Sequence, residues 1–353
     1  MTWPNIDLLR RLGIALPVIQ APMAGAQDEG LAIAVAKAGG LGSLPCAMLT
    51  AEQVRAQMAR VRAATDRGIN LNFFCHQTPP VDDMLMARWQ ARLQSYYDEL
   101  GVQPAPMTGG RAPFDENWCA LVEELRPRVV SFHFGLPRAE LLERVRRAGC
   151  FTLSSATTVA EARWLADKGV DAIIAQGVEA GGHRGMFLSD DLATQVGLFA
   201  LLPQIVDAVT VPVIAAGGIA DARAVAAAFT LGASAVQIGT AYLHCPEATI
   251  LPMHRAALRA STAEASVLTN VITGRPARSL LTRLVREVGP VSADAPPFPL
   301  AAAAVMPLRA KAEAAGSGDF SPLWSGQAGA MAHSQNAGEF THGLANQVLS
   351  LLQ

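Results

Sequence analysis

Seven histidines occur in the chain, and two stand in company that could do chemistry. His183 lies within Ala175-Gln-Gly-Val-Glu-Ala-Gly-Gly-His-Arg-Gly185, where Gly177, Gly181, Gly182 and Gly185 leave the backbone free to wrap a flat ligand. An imidazole in such a loop, titrating near neutrality, can donate to an anion or accept a proton. His133 stands between two aromatics in Ser131-Phe-His-Phe-Gly135, and a pocket role there competes with that of a core histidine satisfied by backbone. Gly217-Gly218 and Gly239-Thr240 each close an apolar run, and the N–H groups of such turns can approach phosphate oxygens. Met23 offers a soft apolar contact, and Asn72, Gln176 and Gln237 offer amide donors and acceptors, all suited to edging a planar ring system.

These residues need a frame that brings them together. Eight short apolar or β-branched runs recur along the chain, at 17–23, 40–45, 69–74, 129–134, 151–155, 172–176, 211–216 and 235–239. Amphipathic, alanine-rich segments follow them, at 31–38, 51–64, 138–148, 159–168, 192–209 and 222–231, with Gly or Pro at the joins. Strand alternating with helix means a parallel sheet, and eight units are the number that closes a (β/α)8 TIM barrel. In that architecture the loops after the seventh and eighth strands form a phosphate site, where both glycine turns fall. Residues 78–115 interrupt the third unit and are read as an insertion at the barrel mouth, with a helix over 82–100. Residues from 244 to about 317 are read as a smaller helical cap, the barrel being 1–243 plus about 318–353, with its last helix over 339–352.

Composition excludes other classes. The 353 residues are 51% apolar and 16% charged with a net charge of −2, so neither disorder nor a polyanion-binding surface is expected. No run approaches the roughly 18 apolar residues of a membrane span. The N-terminal residues lack a signal-peptide pattern, and a cytoplasmic location is expected. Five scattered cysteines without a C-x-x-C pair argue against a disulfide framework and a zinc site, so no metal is expected. Cys75-His76 gives no dyad, since neighbours in a strand face opposite ways. Rossmann, P-loop, zincin and nucleophile-elbow fingerprints are missing from the sequence.

Ile19-Gln-Ala-Pro-Met23, Gly39-Gly-Leu-Gly-Ser43, Asn70-Leu-Asn-Phe-Phe74, Val130-Ser-Phe-His-Phe-Gly135, Ala156-Thr-Thr158, the loop 175–185, Ala215-Ala-Gly-Gly-Ile219 and Gln237-Ile-Gly-Thr-Ala241 together resemble the motif series of the nitronate monooxygenases, formerly 2-nitropropane dioxygenases. The likeness runs from about 14 to 283 and returns weakly at Leu323-Trp-Ser-Gly-Gln327. It implies an FMN-containing barrel that oxidises alkyl nitronates with O2 to carbonyl compounds and nitrite. It assigns phosphate contacts to Gly217, Gly218, Gly239 and Thr240, and ring contacts to Met23, Asn72, Gln176, Gly181, Gly182 and Gln237. His183 and His133 match the pocket histidines of the bacterial class I branch. The chain departs from that branch at the pocket wall, with His254 where tyrosine is usual and Pro297-Phe-Pro-Leu300 before an alanine run where tyrosine and lysine are expected. His254 and Phe298 are therefore the expected substrate-pocket residues. The partners implied are a small nitronate and O2, with no nucleic acid or membrane and with a homodimer left open. Two other readings compete: an FMN-dependent NAD(P)H-using reductase, and a non-redox barrel binding a phosphate ligand. The second is disfavoured in its Schiff-base form, because no strand run holds a lysine.

Overall fold

The computed structural model describes residues 3–104, 112–262 and 264–353. In chain order the strands are β1 (Val18–Gln20), β2 (Ser43–Pro45), β3 (Asn70–Phe74), β4 (Val129–His133), β5 (Phe151–Ala156), β6 (Ala172–Gln176), β7 (Gly182–His183), β8 (Val213–Ala216), β9 (Ala235–Ile238), β10 (Ser266–Thr269) and β11 (Ala277–Leu280). Eight of them form one parallel sheet in the order β1-β9-β8-β6-β5-β4-β3-β2. Leu41 joins its two ends: its N–H donates to Val18 O, and its carbonyl accepts from Gln20 N, both at 2.9 Å. The sheet thereby closes into the (β/α)8 barrel, and all eight expected strands are present.

Strand periodicity decides what faces the interior. Ile19, Leu41, Val129, Phe151, Leu153, Ala172, Ile174, Ile214, Ala216 and Ala235 form one buried cluster that fills the barrel. Two residues further along the same strands, the inward positions become Ser131 and His133, Ser155, Gln176 and Gln237. The apolar floor and the polar ceiling of the barrel thus lie on the same strands. Intervening residues such as Leu71, Phe73, Val130 and Phe132 pack outward against helices.

The helices run back antiparallel to the strands, so their C-termini gather at the opposite end. Arg128 donates to the carbonyls of Arg10 and Arg11, both at 2.8 Å, at the end of helix Ile6–Leu12. Arg146 donates to Lys168 O at 2.7 Å after helix Val159–Asp167. Each cation offsets the negative end of a helix dipole. The closing helix, Ala337–Leu351, packs beside Glu29–Lys37 and Ala222–Thr230.

The insertion helix, Asp83–Leu100, packs on helix Ala301–Ala314 rather than on the barrel's own helices. Trp89, Leu93 and Tyr97 share a core with Val271, Leu284, Val305 and Phe320. Trp89 Nε1 donates to Ala301 O at 3.2 Å and Tyr97 Oη to Ala304 O at 2.6 Å, so both buried polar tips are satisfied. The loop part of the insertion at 105–111 lies outside the described residues. Residues 244–317 hold helices Pro252–Ala260, Arg283–Val288 and Ala301–Ala314, and also the antiparallel pair β10–β11, which extends to β7. The region is therefore mixed rather than purely helical.

Among the described residues, no helix is long and apolar enough to cross a membrane, and no group of three or more His, Cys, Asp or Glu could hold a metal ion. The five cysteines are unpaired as disulfides. Burial pushes the thiols of Cys150 and Cys245 up to about 12, far from nucleophilic character.

Candidate functional site

Chain direction places the ends of β3, β4, β5, β6, β8 and β9 around one mouth, and the loop after β6 crosses it. That loop is fixed by a fully buried arginine. Arg184 donates through Nε to Gln195 Oε1 at 2.8 Å, and through its two terminal nitrogens to Gly177 O and Gln176 O, both at 2.7 Å. Burial lowers its pKa to about 10, which still leaves it charged at neutral pH. Glu161, 1% exposed, accepts from Thr157 N, Thr157 Oγ1, Phe187 N and Leu188 N and so holds the loop's far end. Glu179 accepts from Leu198 N at 2.9 Å and supplies the N-terminal cap that Gly197 cannot give helix Leu198–Ala208.

His183 emerges from this loop in β7, paired with Ala277 of β11. Its carbonyl accepts from His133 Nε2 at 3.2 Å and Gln176 Nε2 at 3.1 Å, both from barrel strands. Its ring nitrogen Nε2 lies 2.9 Å from Thr273 Oγ1. Phe298 and Trp324 flank the ring at centroid distances of 5.3 and 5.2 Å, with Phe134 and Phe74 at 5.9 and 6.3 Å. An imidazole thus stands inside a wall of four aromatics at the barrel mouth.

His133 plays a different part. A carbonyl only accepts, so the bond to His183 O puts the proton on Nε2, and Nδ1 accepts from Ser155 Oγ at 3.0 Å. Burial, helped by the nearby charges of Arg275 and Arg184, lowers its pKa to about 4. At neutral pH it is an uncharged bracket for the loop. Gln176 acts likewise: besides its bond to His183 O, its Oε1 accepts from Gly185 N at 2.7 Å.

His254 sits one layer further back. Its Nε2 donates to Trp324 O at 3.1 Å, and burial lowers its pKa to about 4. It reaches the mouth through Trp324, as a neutral support. Arg275 lies 4.2 Å over the Phe134 ring and donates to Met186 O, behind the aromatic wall. Arg283 is engaged by Glu99 and Glu287 on the surface. Phe298 stands directly against His183, in a cluster with Phe74 and Phe134.

Several features suit a planar cofactor that bears a phosphate. Gln237 Oε1 is buried without a hydrogen-bond partner, an acceptor waiting for a donor. Asn72 is held by its Nδ2, which donates to Ser131 Oγ at 2.9 Å, leaving Oδ1 as the acceptor of its amide. Gly217 and Gly218, at φ 109° and 70°, form the left-handed turn after β8, and Gly239 packs beside Met23 Sδ. Gly182, at φ 73°, has open space where a Cβ would stand. Gly181 serves packing instead: a Cβ there would come within 2.5 Å of Gly326 N. Thr240 Oγ1 accepts from Gly326 N at 2.9 Å and keeps its own hydrogen to donate. Thr273, Trp324, Arg184 and Glu161 escaped sequence reasoning, although Arg184 lay beside His183 in the glycine loop 175–185 and Trp324 in Leu323-Trp-Ser-Gly-Gln327.

Comparison with known proteins agrees with this geometry. The nitronate monooxygenase family profile matches residues 7–346. A nitronate monooxygenase of Paraburkholderia phytofirmans is 40% identical over 97% of this chain and 94% of its own length. One of Pseudomonas aeruginosa is 38% identical over 96% of this chain and 98% of its own. The crystal structure of nitroalkane oxidase from Streptomyces ansochromogenes superposes with a TM-score of 0.90 at 37% identity, covering 98% of this chain and 100% of that one. FabK from Thermotoga maritima, at 22% identity and a TM-score of 0.73 over 99% and 97% of the two chains, shares the fold. With a profile spanning nearly the whole chain and relatives of such similarity, the chain belongs to the nitronate monooxygenase family of oxidoreductases.

Proposed function

We propose that this enzyme oxidises alkyl nitronates with O2 to a carbonyl compound and nitrite, with FMN as its cofactor. The observation that carries the reading is His183, fixed at the mouth between Phe298 and Trp324 and above inward-facing amides. FMN, when bound, supplies electron acceptance and delivery to O2. Gly217, Gly218, Gly239 and Thr240 would hold its phosphate, and Asn72 and Gln237 would orient its ring. The chain's own part is to bind, orient and dry. A nitronate is already an anionic carbon nucleophile and needs no strong base, so His183 serves by pairing with the anion and placing its carbon. Phe74, Phe134, Phe298 and Trp324 exclude water, which strengthens that pairing.

His183→Asn tests this. The variant should keep its flavin content while turnover of nitroethane nitronate falls by about 10²-fold or more. Normal turnover in that variant removes His183 from the mechanism. Anaerobic mixing separates the competing readings: rapid bleaching of the flavin by NADH or NADPH, with none by nitronate, indicates a reductase, and a protein that stays colourless after incubation with FMN indicates a non-redox barrel.

A further inference from the structure

The imidazole of His183 has an orientation problem that its surroundings do not all solve. Its backbone is held twice from the barrel, through His133 and Gln176, and once by β11. Its ring lies between Phe298 and Trp324, which restrict sideways motion. Aromatic walls cannot select between the two faces of an imidazole turned by half a rotation, because both fill the same slot. Only a polar partner tells one ring nitrogen from the other. Thr273 Oγ1, 2.9 Å from Nε2, is such a partner, and its residue is 5% exposed. A hydroxyl both donates and accepts, so the contact persists whether the imidazole is neutral or protonated.

The position of Thr273 is itself rigid. The next residue, Gly274, has φ 88°, and a Cβ there would come within 2.0 Å of Pro296 O and 2.7 Å of Phe298 N. The turn carrying Thr273 is therefore packed backbone to backbone against the segment carrying Phe298. Thr269 Oγ1 accepts from Val271 N at 3.2 Å, and Asn270 bonds Ser292 at both ends of its amide, a second tie of the same turn to the stretch that leads to Phe298.

We propose that Thr273 is a positioning residue for His183: by engaging Nε2 it fixes the rotation of the ring, so the region beyond the barrel sets the angle of the imidazole. This rests on the role given to His183 above. Loss of the bond leaves the nitronate site built but removes the contact at Nε2, which affects the reacting arrangement more than substrate binding.

Thr273→Val keeps the shape and removes the hydroxyl; Thr273→Ser restores it. In Thr273→Val, kcat should fall about tenfold, as expected for one lost hydrogen bond to a reacting group, with KM changed by less than about twofold. Flavin content and melting temperature should match the parent, and Thr273→Ser should recover most of kcat. In ¹⁵N-histidine NMR spectra, the ring-nitrogen signals missing from His183→Asn should shift in Thr273→Val. A parental kcat in Thr273→Val, equal impairment in the valine and serine variants, or unchanged ring-nitrogen signals overturns the proposal. Absence of nitronate turnover in the parent instead overturns the reading of function, and the spectra still test the contact.

Discussion

Acid should loosen this enzyme through His254. The imidazole is buried in helix Pro252–Ala260, and burial lowers its pKa from an ordinary value of 6.5 to about 4, with the charge of Arg255 acting in the same direction. The fold holds the neutral form, whose Nε2–H donates to Trp324 O. Below pH 6.5 the unfolded chain takes up a proton that the folded chain refuses, so stability falls with pH down to about 4 and is fully recovered above 6.5. At pH 5 the unfolded group lies about 1.5 pH units below its pKa, which at about 1.36 kcal/mol per unit costs the fold about 2 kcal/mol. His133, pushed the same way but partly exposed, adds a smaller amount. Other groups titrate across this range too, so the informative quantity is a difference. His254→Gln offers an amide N–H to the same carbonyl and has no proton to gain. Urea unfolding at pH 7.5 and pH 5.0, at matched ionic strength, should show a stability loss about 2 kcal/mol smaller in the variant than in the parent. Equal losses in the two proteins would refute the argument, because they would mean that His254 protonates as readily folded as unfolded.

Gly218→Asp puts a carboxylate on a turn at φ 70°, where a Cβ would meet Glu179 side-chain atoms at 3.5 Å or more, so there is room but the backbone is strained and the charge opposes a phosphate. The variant should fold and lose FMN, read from its absorbance after gel filtration; full flavin content would locate the phosphate elsewhere. At pH 8 both His133 and His254 are neutral, and Arg275 lies behind Phe134, so the mouth offers a carboxylated substrate little compensation for desolvation. From nitroethane to nitrobutane, kcat/KM for the nitronates should rise by up to about fourfold per methylene and exceed that for propionate 3-nitronate; a preference for the carboxylated compound would show that a cation reaches the pocket.

The barrel was legible because most of the eight strand runs are followed directly by an amphipathic helix, a local pattern that tertiary contacts only confirm. β10 and β11 were not: each has four residues, and their extension pairs with a two-residue strand about a hundred positions earlier. No local periodicity marks such a partnership. His183 was legible from the glycines around it, and Phe298 from its place in a departing segment. The neutrality of His133 was not, since it depends on burial and on charges from distant loops. Nor was the use of Gln176 on loop backbone, because an amide's type says nothing of which partner it meets. Gly181 illustrates the same limit: its missing side chain makes room for Gly326, 145 positions away in the chain.

The segment 323–327, which walls the mouth with Trp324, is made after every strand of the barrel. Gly326 N reaches Thr240 and Gln327 N reaches Glu179 O, so the wall containing Trp324 is fastened to parts made much earlier. A nascent chain can therefore complete every strand of its barrel while the space around His183 is still open to water. The Trp324 side of the reacting space is thus added only after the last barrel strand, β9, has been made.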